Sequence, residues 1–474
     1  MLIAGERREA SSGRSFELTN PATGEVIARV PLGDADDLRA AVEAATVAAP
    51  DWGETLARDR GKVLARAATL IRARTDRLAE QLTREQGKPL REAVDEVRGA
   101  ANVFEYYAGL ASSFADTRIR LGGGLEAEVR REPIGVTGAI IPWNLPALLF
   151  AWKAVPAILC GNAQIVKPAS TAPLTPLALA ECLHEAGLPP GVLNVVTGPG
   201  ETVGEVLVTD PAVRKISFTG SSATGKRVMA LAADRVARVT LELGGSDPMI
   251  VCADANLDSA VAGAVSGRYY NCGQVCTAVK RLFIQETIAD EFMRRLTASV
   301  NRLRVGNGLE AGTTMGPLNT MAARDRISGL VDRVRERDEG TVAVGGTVPG
   351  APGSTAGAYY APTVVTDVAP ESALMTEEVF GPVLPVVRFA NLDEALRLAN
   401  DSRFGLGASI WTRNPETIRE APGRLQAGIV WVNLHLKVPP EVPFGGVKES
   451  GLGRENGAQA LDAWSEEKTV LVRL

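Results

Sequence analysis

The stretch VTGAIIPWNLPALLFAWKAVPAILCGNAQIVKPAS, residues 136–170, sets a short apolar segment on each side of a long one. The outer segments, VTGAII and AQIVK, are apolar runs of strand length. The middle segment, LLFAWKAVPAILCG, is long enough for a helix and ends at a glycine. Parallel strands need a crossover of a dozen or more residues, usually a helix. The stretch therefore predicts a β-α-β unit.

The same alternation continues toward the C-terminus. Three more strand-like runs, GVLNVV, KISFTG and VTLELGG, are separated by the helical stretches PLALAECLHEAG and GETVGEVLV. Alternation at this spacing predicts an α/β fold with a doubly wound parallel sheet. A second alternating block covers residues 245–440, with strands expected at PMIVC, RLFIQ, TVAVGG, VLPVVRF, GASIWT and GIVWVN.

Three regions lie outside these alternating blocks. Residues 34–110 have helical periodicity in three stretches, with Asp34 and Asp51 as start signals and Gly87 as a stop. RIRLGGGLEAEVRRE (118–132) alternates with period two about a glycine turn, and TVLVRL (469–474) has strand character. Because a lone hairpin cannot bury both faces, it is expected to pair with another strand or another subunit. GGTVPGAPGSTAGAYYAP (345–362) is typical of a surface loop.

The length of 474 residues suggests two or three domains at roughly 150 residues each. We predict a dinucleotide-binding domain formed by residues 1–115 and 134–244. A catalytic α/β domain is expected at 245–445. The hairpin region 116–133 and the C-terminal segment 455–474 are expected to form a small β oligomerisation element.

Composition excludes several classes of protein. Hydrophobic residues are 45% and charged residues 23%, as in ordinary globular proteins, and the net charge of −5 includes no basic run that would follow a nucleic-acid backbone. No apolar run approaches the roughly 20 residues of a membrane span. The N-terminus lacks the apolar core of a signal peptide, so a cytoplasmic location is expected. Five irregularly spaced cysteines indicate free thiols, neither a disulfide framework nor a zinc ribbon.

Histidine is scarce, since only His184 and His435 occur. His184 lies in a helical pattern and is expected at a helix surface, and no metal site is expected. If the protein is an enzyme, its general base is expected to be a carboxylate. A cysteine hydrolase, whose thiol needs a histidine partner, is disfavoured for the same reason.

Two glycine-rich turns, GPGETVG (198–204) and FTGSSATGK (218–226), follow predicted strands. Backbone N–H groups at such a turn can hold a pyrophosphate, especially where a helix begins. Neither turn has the G-x-G-x-x-G pattern, so a plain strand-to-helix connection stays open for each.

RYYNCGQVCTAVKR (268–281) carries two cysteines four residues apart. A reactive cysteine needs a lowered pKa or a nearby base, whereas a structural one needs only an apolar pocket. The pattern favours a buried, inert Cys272 and leaves Cys276 undecided. A disulfide between them under oxidation is a further hypothesis.

Seven short motifs taken together are a more specific signal of a protein family than any one of them alone. In chain order they are IPWNLP (141–146), VKPAS (166–170), FTGS (218–221), LELGG (241–245), GQVC (273–276), EEVFGP (377–382) and PFGGVKESGLGRE (443–455). This series resembles the aldehyde dehydrogenase superfamily, and the resemblance covers essentially the whole chain. It implies NAD(P)-dependent oxidation of an aldehyde to the acid in a homodimer or homotetramer.

The resemblance maps Cys276 onto the family nucleophile, which forms a thiohemiacetal and then a thioester. Asn144 matches the amide that binds the oxyanion together with the Cys276 N–H. Glu242 matches the general base for thioester hydrolysis, and its presence favours hydrolysis over transfer to coenzyme A. Lys153 matches a lysine close to Asn144.

Cofactor contacts carry over by position. Lys167 is expected at the adenosine ribose, Gly220 and Ser221 at the pyrophosphate, and Glu378 at the nicotinamide ribose. The other residues assigned to the cofactor are Ile141, Pro142, Trp143, Ser170, Gly200 and Phe380.

Ser170 stands where many NAD-preferring relatives have a glutamate. A hydroxyl there does not repel a 2′-phosphate, so we expect NADP to be accepted as well as NAD, and even to be preferred. The alternative is that Ser170 caps the following helix.

The resemblance also places a substrate tunnel, whose predicted lining is Leu145, Leu148, Leu149, Trp152, Tyr270, Val275, Thr277, Leu436, Val438 and Phe444. Trp152 stands where succinate-semialdehyde members usually have an arginine, so an apolar or aromatic aldehyde is favoured. The alternatives are a semialdehyde dehydrogenase with its anion site near Arg268, or a catalytically silent protein of this fold. For any single apolar residue, core packing is the alternative to a substrate contact.

Overall fold

The computed structural model describes residues 1–349 and 357–473. In these residues the helices are, in chain order, α1 Ala35–Glu54, α2 Ala57–Ala73, α3 Thr75–Gln86, α4 Leu90–Leu110, α5 Pro146–Leu159, α6 Leu174–Glu185, α7 Glu205–Thr209, α8 Ser222–Ala233, α9 Leu257–Tyr269, α10 Glu286–Val300, α11 Met321–Glu336, α12 Ala373–Thr376, α13 Leu392–Asn400, α14 Pro415–Arg424 and α15 Ala460–Ala463.

The strands of the same residues are β1 Leu2–Ile3, β2 Glu6–Arg7, β3 Ser15–Thr19, β4 Val26–Pro31, β5 Thr117–Gly122, β6 Leu125–Pro133, β7 Val136–Ile140, β8 Ala163–Lys167, β9 Leu193–Val195, β10 Val213–Thr219, β11 Arg238–Glu242, β12 Asp247–Val251, β13 Val279–Gln285, β14 Thr341–Val344, β15 Thr363–Thr366, β16 Val383–Phe389, β17 Gly407–Trp411, β18 Ile429–Val432, β19 Gly451–Leu452 and β20 Ser465–Arg473.

The predicted β-α-β unit is confirmed as β7, α5 and β8. The two strands pair in parallel from Val136 opposite Ala163 to Ile140 opposite Lys167. They lie in the middle of a sheet with the order β19-β11-β10-β7-β8-β9-β1-β2. The strands from β11 to β9 in this order run parallel, and β19 and β1 add antiparallel neighbours at either side.

Helices cover both faces of this sheet, which confirms the doubly wound class. Neighbouring residues of β8 point to opposite faces, because side chains alternate along a strand. Val166 packs into the core that includes α2, α4 and α5, and Ile165 packs into the core that includes α1 and α7.

A second sheet, with the order β14-β15-β16-β13-β12-β17-β18, forms the other half of the molecule. Its strands pair in parallel except that β14 is antiparallel to β15. Leu282 and Phe283 of β13 face different cores, so this sheet also has two buried faces.

The predicted hairpin is present as β5 and β6, and β20 pairs antiparallel with the other edge of β6. Leu474 and residues 350–356 of the predicted surface loop lie outside the described residues. None of the helices at 1–349 and 357–473 has the length and apolar content that a membrane crossing requires.

The helical region 34–110 corrects two expectations. Asp34 caps α1 with a capping box, and Gly87 ends α3 in the left-handed conformation, as predicted. Asp51 is not a helix start, because α1 continues through it to Glu54. The long middle stretch divides near Arg74 into α2 and α3, so four helices replace the expected three.

Candidate active site

The loop that carries Cys276 follows α9 and is held in an unusual conformation. Asn271 and Cys272 have φ values of 50° and 55°, in the left-handed region, where non-glycine residues cost about 1 kcal/mol or more each. The Asn271 N–H donates to Glu92 Oε2 on α4 at 2.8 Å. The side-chain amide of Gln274 donates from Nε2 to the Asn271 carbonyl at 3.0 Å, and its Oε1 accepts from the Asn319 N–H at 2.9 Å. These bonds fix the loop just ahead of β13.

Asn144 joins this loop to the segment after β7. Its Nδ2 donates to the Gln274 carbonyl at 3.1 Å, and its own carbonyl accepts from Asn271 Nδ2 at 2.9 Å. An amide nitrogen carries two hydrogens, so the second one is available to a substrate oxygen. The structure thus brings the predicted oxyanion amide and the cysteine loop together.

A buried ion pair supports Asn144 from the other side. Lys88 Nζ donates to the Asn144 carbonyl at 2.7 Å and forms an ion pair with Glu96 of α4. The second oxygen of Glu96 accepts from the Ala147 N–H at 2.8 Å, at the start of α5. The sequence analysis missed Lys88 and Glu96, because neither lies in the motifs that pointed to the site.

Glu242 is the last residue of β11 and is buried. Neither of its carboxylate oxygens forms a well-aligned hydrogen bond among the described residues, although the nearby Gly446 N–H acts to lower its pKa. Burial raises its pKa well above the ordinary value, and the nearby charge of Glu455 adds to the rise. A buried carboxyl with free oxygens and a raised pKa suits a general base.

Lys153 of α5 forms a buried ion pair with Glu455 and donates to Ser217 Oγ at 3.0 Å. Ser217 in turn donates to Glu455 Oε1 at 2.9 Å. Among the described residues, these bonds hold the Lys153 ammonium, and it forms no bond with Asn144. The sequence analysis quoted Glu455 as the end of a motif without giving it a role, although its charge acts on Glu242.

The two glycines of LELGG explain how distant elements meet. A Cβ at Gly244 would lie 2.2 Å from Glu378 Oε2, and one at Gly245 would lie 2.7 Å from the Cys276 carbonyl oxygen. The Gly245 N–H donates to Glu378 Oε1 at 3.2 Å. At Gly245 the close atom belongs to the backbone, so glycine is needed there, and the motif lets Glu378 and Cys276 lie against the same short segment.

Lys280 on β13 was also missed by the sequence analysis. Its ammonium donates to the Cys276 carbonyl at 2.5 Å and to Glu378 Oε1 at 3.0 Å. Burial raises the pKa of the Cys276 thiol to about 12, and the positive charge of Lys280 opposes that rise. The thiol is therefore protonated at neutral pH in the cofactor-free protein.

The residues expected to hold a dinucleotide fit such a group. Ser221 caps α8 by accepting from the Thr224 N–H at 3.2 Å. The first turn of α8 therefore lies directly after β10, where helix N–H groups can bind a pyrophosphate. Lys167 uses one of its three donors, on the Pro168 carbonyl at 2.8 Å, and burial lowers its pKa to about 8. The Trp143 and Phe380 rings meet edge to face, with centroids 5.6 Å apart.

Ser170 does not cap the following helix, which corrects the alternative reading of this residue. The first N–H groups of α6 are bound by Glu85, at 2.8 Å from Leu174 N. The Ser170 hydroxyl donates to the Gly198 carbonyl at 3.3 Å, in the turn that precedes Gly200. Ser170 therefore lies beside a glycine turn proposed for the cofactor.

Most of the predicted substrate residues share one hydrophobic cluster with Cys276. Leu149, Trp152 and Phe444 are buried in it, and the Trp152 and Phe444 rings lie 5.1 Å apart. The partly buried residues packed against it include Leu145, Leu148, Cys276 and Val438. Val275 and Thr277 are buried beside Cys276, and Leu436 is half-buried.

The structure also places four other residues that the sequence analysis named. Arg268 is fully buried with its guanidinium on backbone carbonyls, including Val379 at 2.9 Å, so it offers no fork to a substrate carboxylate. Cys272 packs in the core of the second sheet, away from the cluster around Cys276, and both are free thiols. His435 has Nε2 2.7 Å from the Thr277 carbonyl oxygen, and His184 is half-buried with both ring nitrogens near backbone carbonyls.

Comparison with known proteins agrees with this geometry. The model of the aldehyde dehydrogenase family matches residues 8–470. Betaine aldehyde dehydrogenase of Brucella anthropi is 40% identical over 474 residues, covering 100% of this chain and 97% of that protein.

Several solved structures match over 100% of this chain. An E. coli NADP-dependent enzyme is 38% identical with a TM-score of 0.97 and 98% of its chain covered. PnpE from Pseudomonas sp. WBC-3 is 37% identical with 97% covered, and its complex with nicotinamide adenine dinucleotide has a TM-score of 0.98. A match of this extent on the same fold makes the present chain an oxidoreductase that acts on aldehydes with a nicotinamide cofactor. It belongs to the aldehyde dehydrogenase family.

The state of the thiol gives a first prediction. Because the thiolate is the reactive form, alkylation of Cys276 by iodoacetamide in the cofactor-free protein should be slow at pH 7 and rise about tenfold per pH unit toward pH 10. Mass spectrometry of the labelled peptide follows the rate, with Cys276→Ala as the control. A rate that levels off below pH 8 would contradict a thiol of raised pKa.

Proposed function

We propose that the protein oxidises an apolar or aromatic aldehyde to the carboxylic acid, with Cys276 as nucleophile and Glu242 as general base. One observation carries this proposal: the Cys276 side chain packs against the same apolar cluster as Trp152, Phe444 and the leucines of α5. An aldehyde held by that cluster would present its carbonyl to the thiol.

The chain's own groups have separate tasks in this reaction. The Cys276 thiol releases its proton to solvent as the sulfur attacks the aldehyde carbon, and the oxyanion of the thiohemiacetal accepts from Asn144 Nδ2 and the Cys276 N–H. Glu242 then takes a proton from the water that attacks the thioester, and the acid leaves as the thiol is restored. The Lys153–Glu455 pair acts on the pKa of Glu242: the Glu455 carboxylate raises it and the Lys153 ammonium lowers it.

The cofactor supplies one piece of chemistry, acceptance of a hydride from the thiohemiacetal carbon. We assign Lys167 and Ser170 to the adenosine end, Gly200, Gly220 and Ser221 to the pyrophosphate, and Glu378 to the nicotinamide ribose. Ile141, Pro142, Trp143 and Phe380 complete this assignment. Glu378 keeps one carboxylate oxygen outside its bonds to Gly245 and Lys280.

A second candidate substrate class is a cationic aldehyde such as betaine aldehyde. The curated relative carries that name. The Trp152 and Phe444 rings favour this class as well, since aromatic faces attract quaternary ammonium groups. A carboxylated semialdehyde is less favoured because Arg268 is committed to backbone carbonyls.

Initial rates of cofactor reduction test the substrate proposal. With hexanal, benzaldehyde, betaine aldehyde and succinate semialdehyde, we expect kcat/KM for the first two to exceed that for succinate semialdehyde by about tenfold or more, because no fork pairs its carboxylate. Cys276→Ala should remove all turnover. Betaine aldehyde as the best substrate would select the second candidate, and succinate semialdehyde as the best would overturn both.

Glu242→Gln separates the two chemical steps. The amide keeps the size of the side chain and cannot take a proton, so thioester hydrolysis should slow by about 100-fold or more. Rapid mixing should then show one equivalent of reduced cofactor per active site, followed by a slow steady rate. Loss of the initial burst along with the steady rate would place Glu242 in the first step instead.

Ser170→Glu tests the cofactor assignment. A carboxylate near the 2′ position repels a phosphate there and accepts from a hydroxyl, so KM for NADP should rise about tenfold or more while KM for NAD stays similar or falls. Ser170→Ala serves as the matched uncharged control. Equal effects of the glutamate on both cofactors would place Ser170 away from the 2′ position.

We further propose that the sheet of β5, β6 and β20 joins copies of this chain in a dimer or tetramer. Leu121 and Leu471 on its outer strands are 54% and 61% exposed, which leaves an apolar edge to be covered. The domain division at 116–133 and 455–474 rests on the same proposal. Light scattering that gives the mass of a single chain would contradict it.

A further inference from the structure

Lys280 occupies a position that the proposed reaction does not use. Its side chain is fully buried, yet its charge is shared between two parts of the site. One bond reaches back four residues to the Cys276 carbonyl, at 2.5 Å. The other reaches Glu378 Oε1, at 3.0 Å, on the segment proposed to hold the nicotinamide ribose.

We propose that Lys280 is a positioning residue for the nucleophile: its ammonium joins the Cys276 peptide to the Glu378 carboxylate, so this one ion pair sets the charge behind the thiol. The proposal rests on the proposed roles of Cys276 and Glu378. Lys280 lies outside the motifs that located the site. Through Lys280, the Glu378 carboxylate proposed to hold the cofactor and the Cys276 thiol influence each other.

The charged groups around the Cys276 thiol show why the Lys280–Glu378 ion pair matters. The charged groups that act on the Cys276 thiol are Lys280, which favours the thiolate, and Asp247, Glu378 and Glu242, which oppose it. Asp247 is buried, and burial raises its pKa to about 7 although the Lys280 charge and the nearby Gly407 N–H act in the opposite direction. Burial likewise lowers the pKa of His435 to about 4, so this ring is neutral. Lys280 therefore supplies positive charge where burial and three carboxyl groups disfavour the thiolate.

The bond to the Cys276 carbonyl adds geometry to charge. An ammonium on a peptide carbonyl fixes the plane of that peptide and limits rotation about the adjoining Cys276 backbone. Glycine at 245 allows this arrangement, because a Cβ there would lie 2.7 Å from the same carbonyl oxygen. The Phe380 ring, with its centroid 5.7 Å from Nζ, closes the side next to Glu378.

The test compares variants that should act in opposite directions. In the cofactor-free full chain, alkylation of Cys276 by iodoacetamide is followed from pH 7 to pH 10. An opposite charge close by shifts a pKa by on the order of one unit. Since a more basic thiolate is also more nucleophilic, each unit changes the rate at fixed pH by about threefold.

Lys280→Gln should therefore slow alkylation about threefold, and Glu378→Gln should speed it by a similar factor. The double variant should return near the wild-type rate, and Lys280→Arg, which keeps the charge, should stay close to wild type. A packing defect would not reverse sign between the two single variants. Circular dichroism and melting temperature verify that each variant is folded, and Glu378→Gln with Lys280→Arg decide the matter if Lys280→Gln does not fold.

Two results would overturn the proposal: changes in the same direction for both single variants, or no change for either. Alkylation needs no aldehyde and no turnover, so the result stands apart from the substrate panel. A panel with no activity would defeat the proposed function and leave the Lys280 measurement intact. Labelling that persists in Cys276→Ala comes from another cysteine. Mass spectrometry of the separate peptides distinguishes that label from the one on Cys276.

Discussion

The carboxylates of Glu92 and Glu96 lie one turn apart on the same face of α4, and both loops of the active site are bound to them. Glu92 accepts from the Asn271 N–H in the cysteine loop, and Glu96 accepts from the Ala147 N–H and pairs with Lys88. Lys88 then holds the Asn144 carbonyl. Residues from two halves of the molecule thus take their places from one helix face, since side chains four apart on a helix are neighbours.

This anchor is made of charges that water would otherwise solvate. Lys88 and Glu96 are fully buried, and removing one partner of such a pair costs about 3–5 kcal/mol because the other charge is left alone. Burial also raises the pKa of Glu92 to about 7, which the Asn271 N–H opposes. The left-handed backbone of Asn271 and Cys272 is retained because the surrounding hydrogen bonds determine it, as is usual for strained positions at functional sites.

The sequence allowed us to propose the groups that react, but only some of the groups that hold them in place. Alternating apolar runs predicted both sheets and the β-α-β unit, and the motifs brought forward Cys276, Asn144 and Glu242. Lys88 was missed because it lies in none of the motifs. Lys280 and the role of Glu455 were missed because their partners are remote: Lys153 meets Glu455 across 302 positions and Lys280 meets Glu378 across 98. The wrong expectation at Asp51 shows the limit of local signals, since α1 runs on to bury Trp52 against the Ile158 carbonyl.

Burial poses a conflict that the arrangement of charges reduces. The apolar surroundings that raise the pKa of Glu242, as its proposed role as a base requires, also raise the pKa of the Cys276 thiol and disfavour the thiolate. A single change in polarity would help one group and harm the other. Two lysines placed on different sides reduce the conflict: Lys153 acts on Glu242 through its pair with Glu455, and Lys280 acts on Cys276 through its pair with Glu378. Each of the two groups thus has its own ion pair, and the two remain coupled because the charge of Glu242 also acts on the Cys276 thiol.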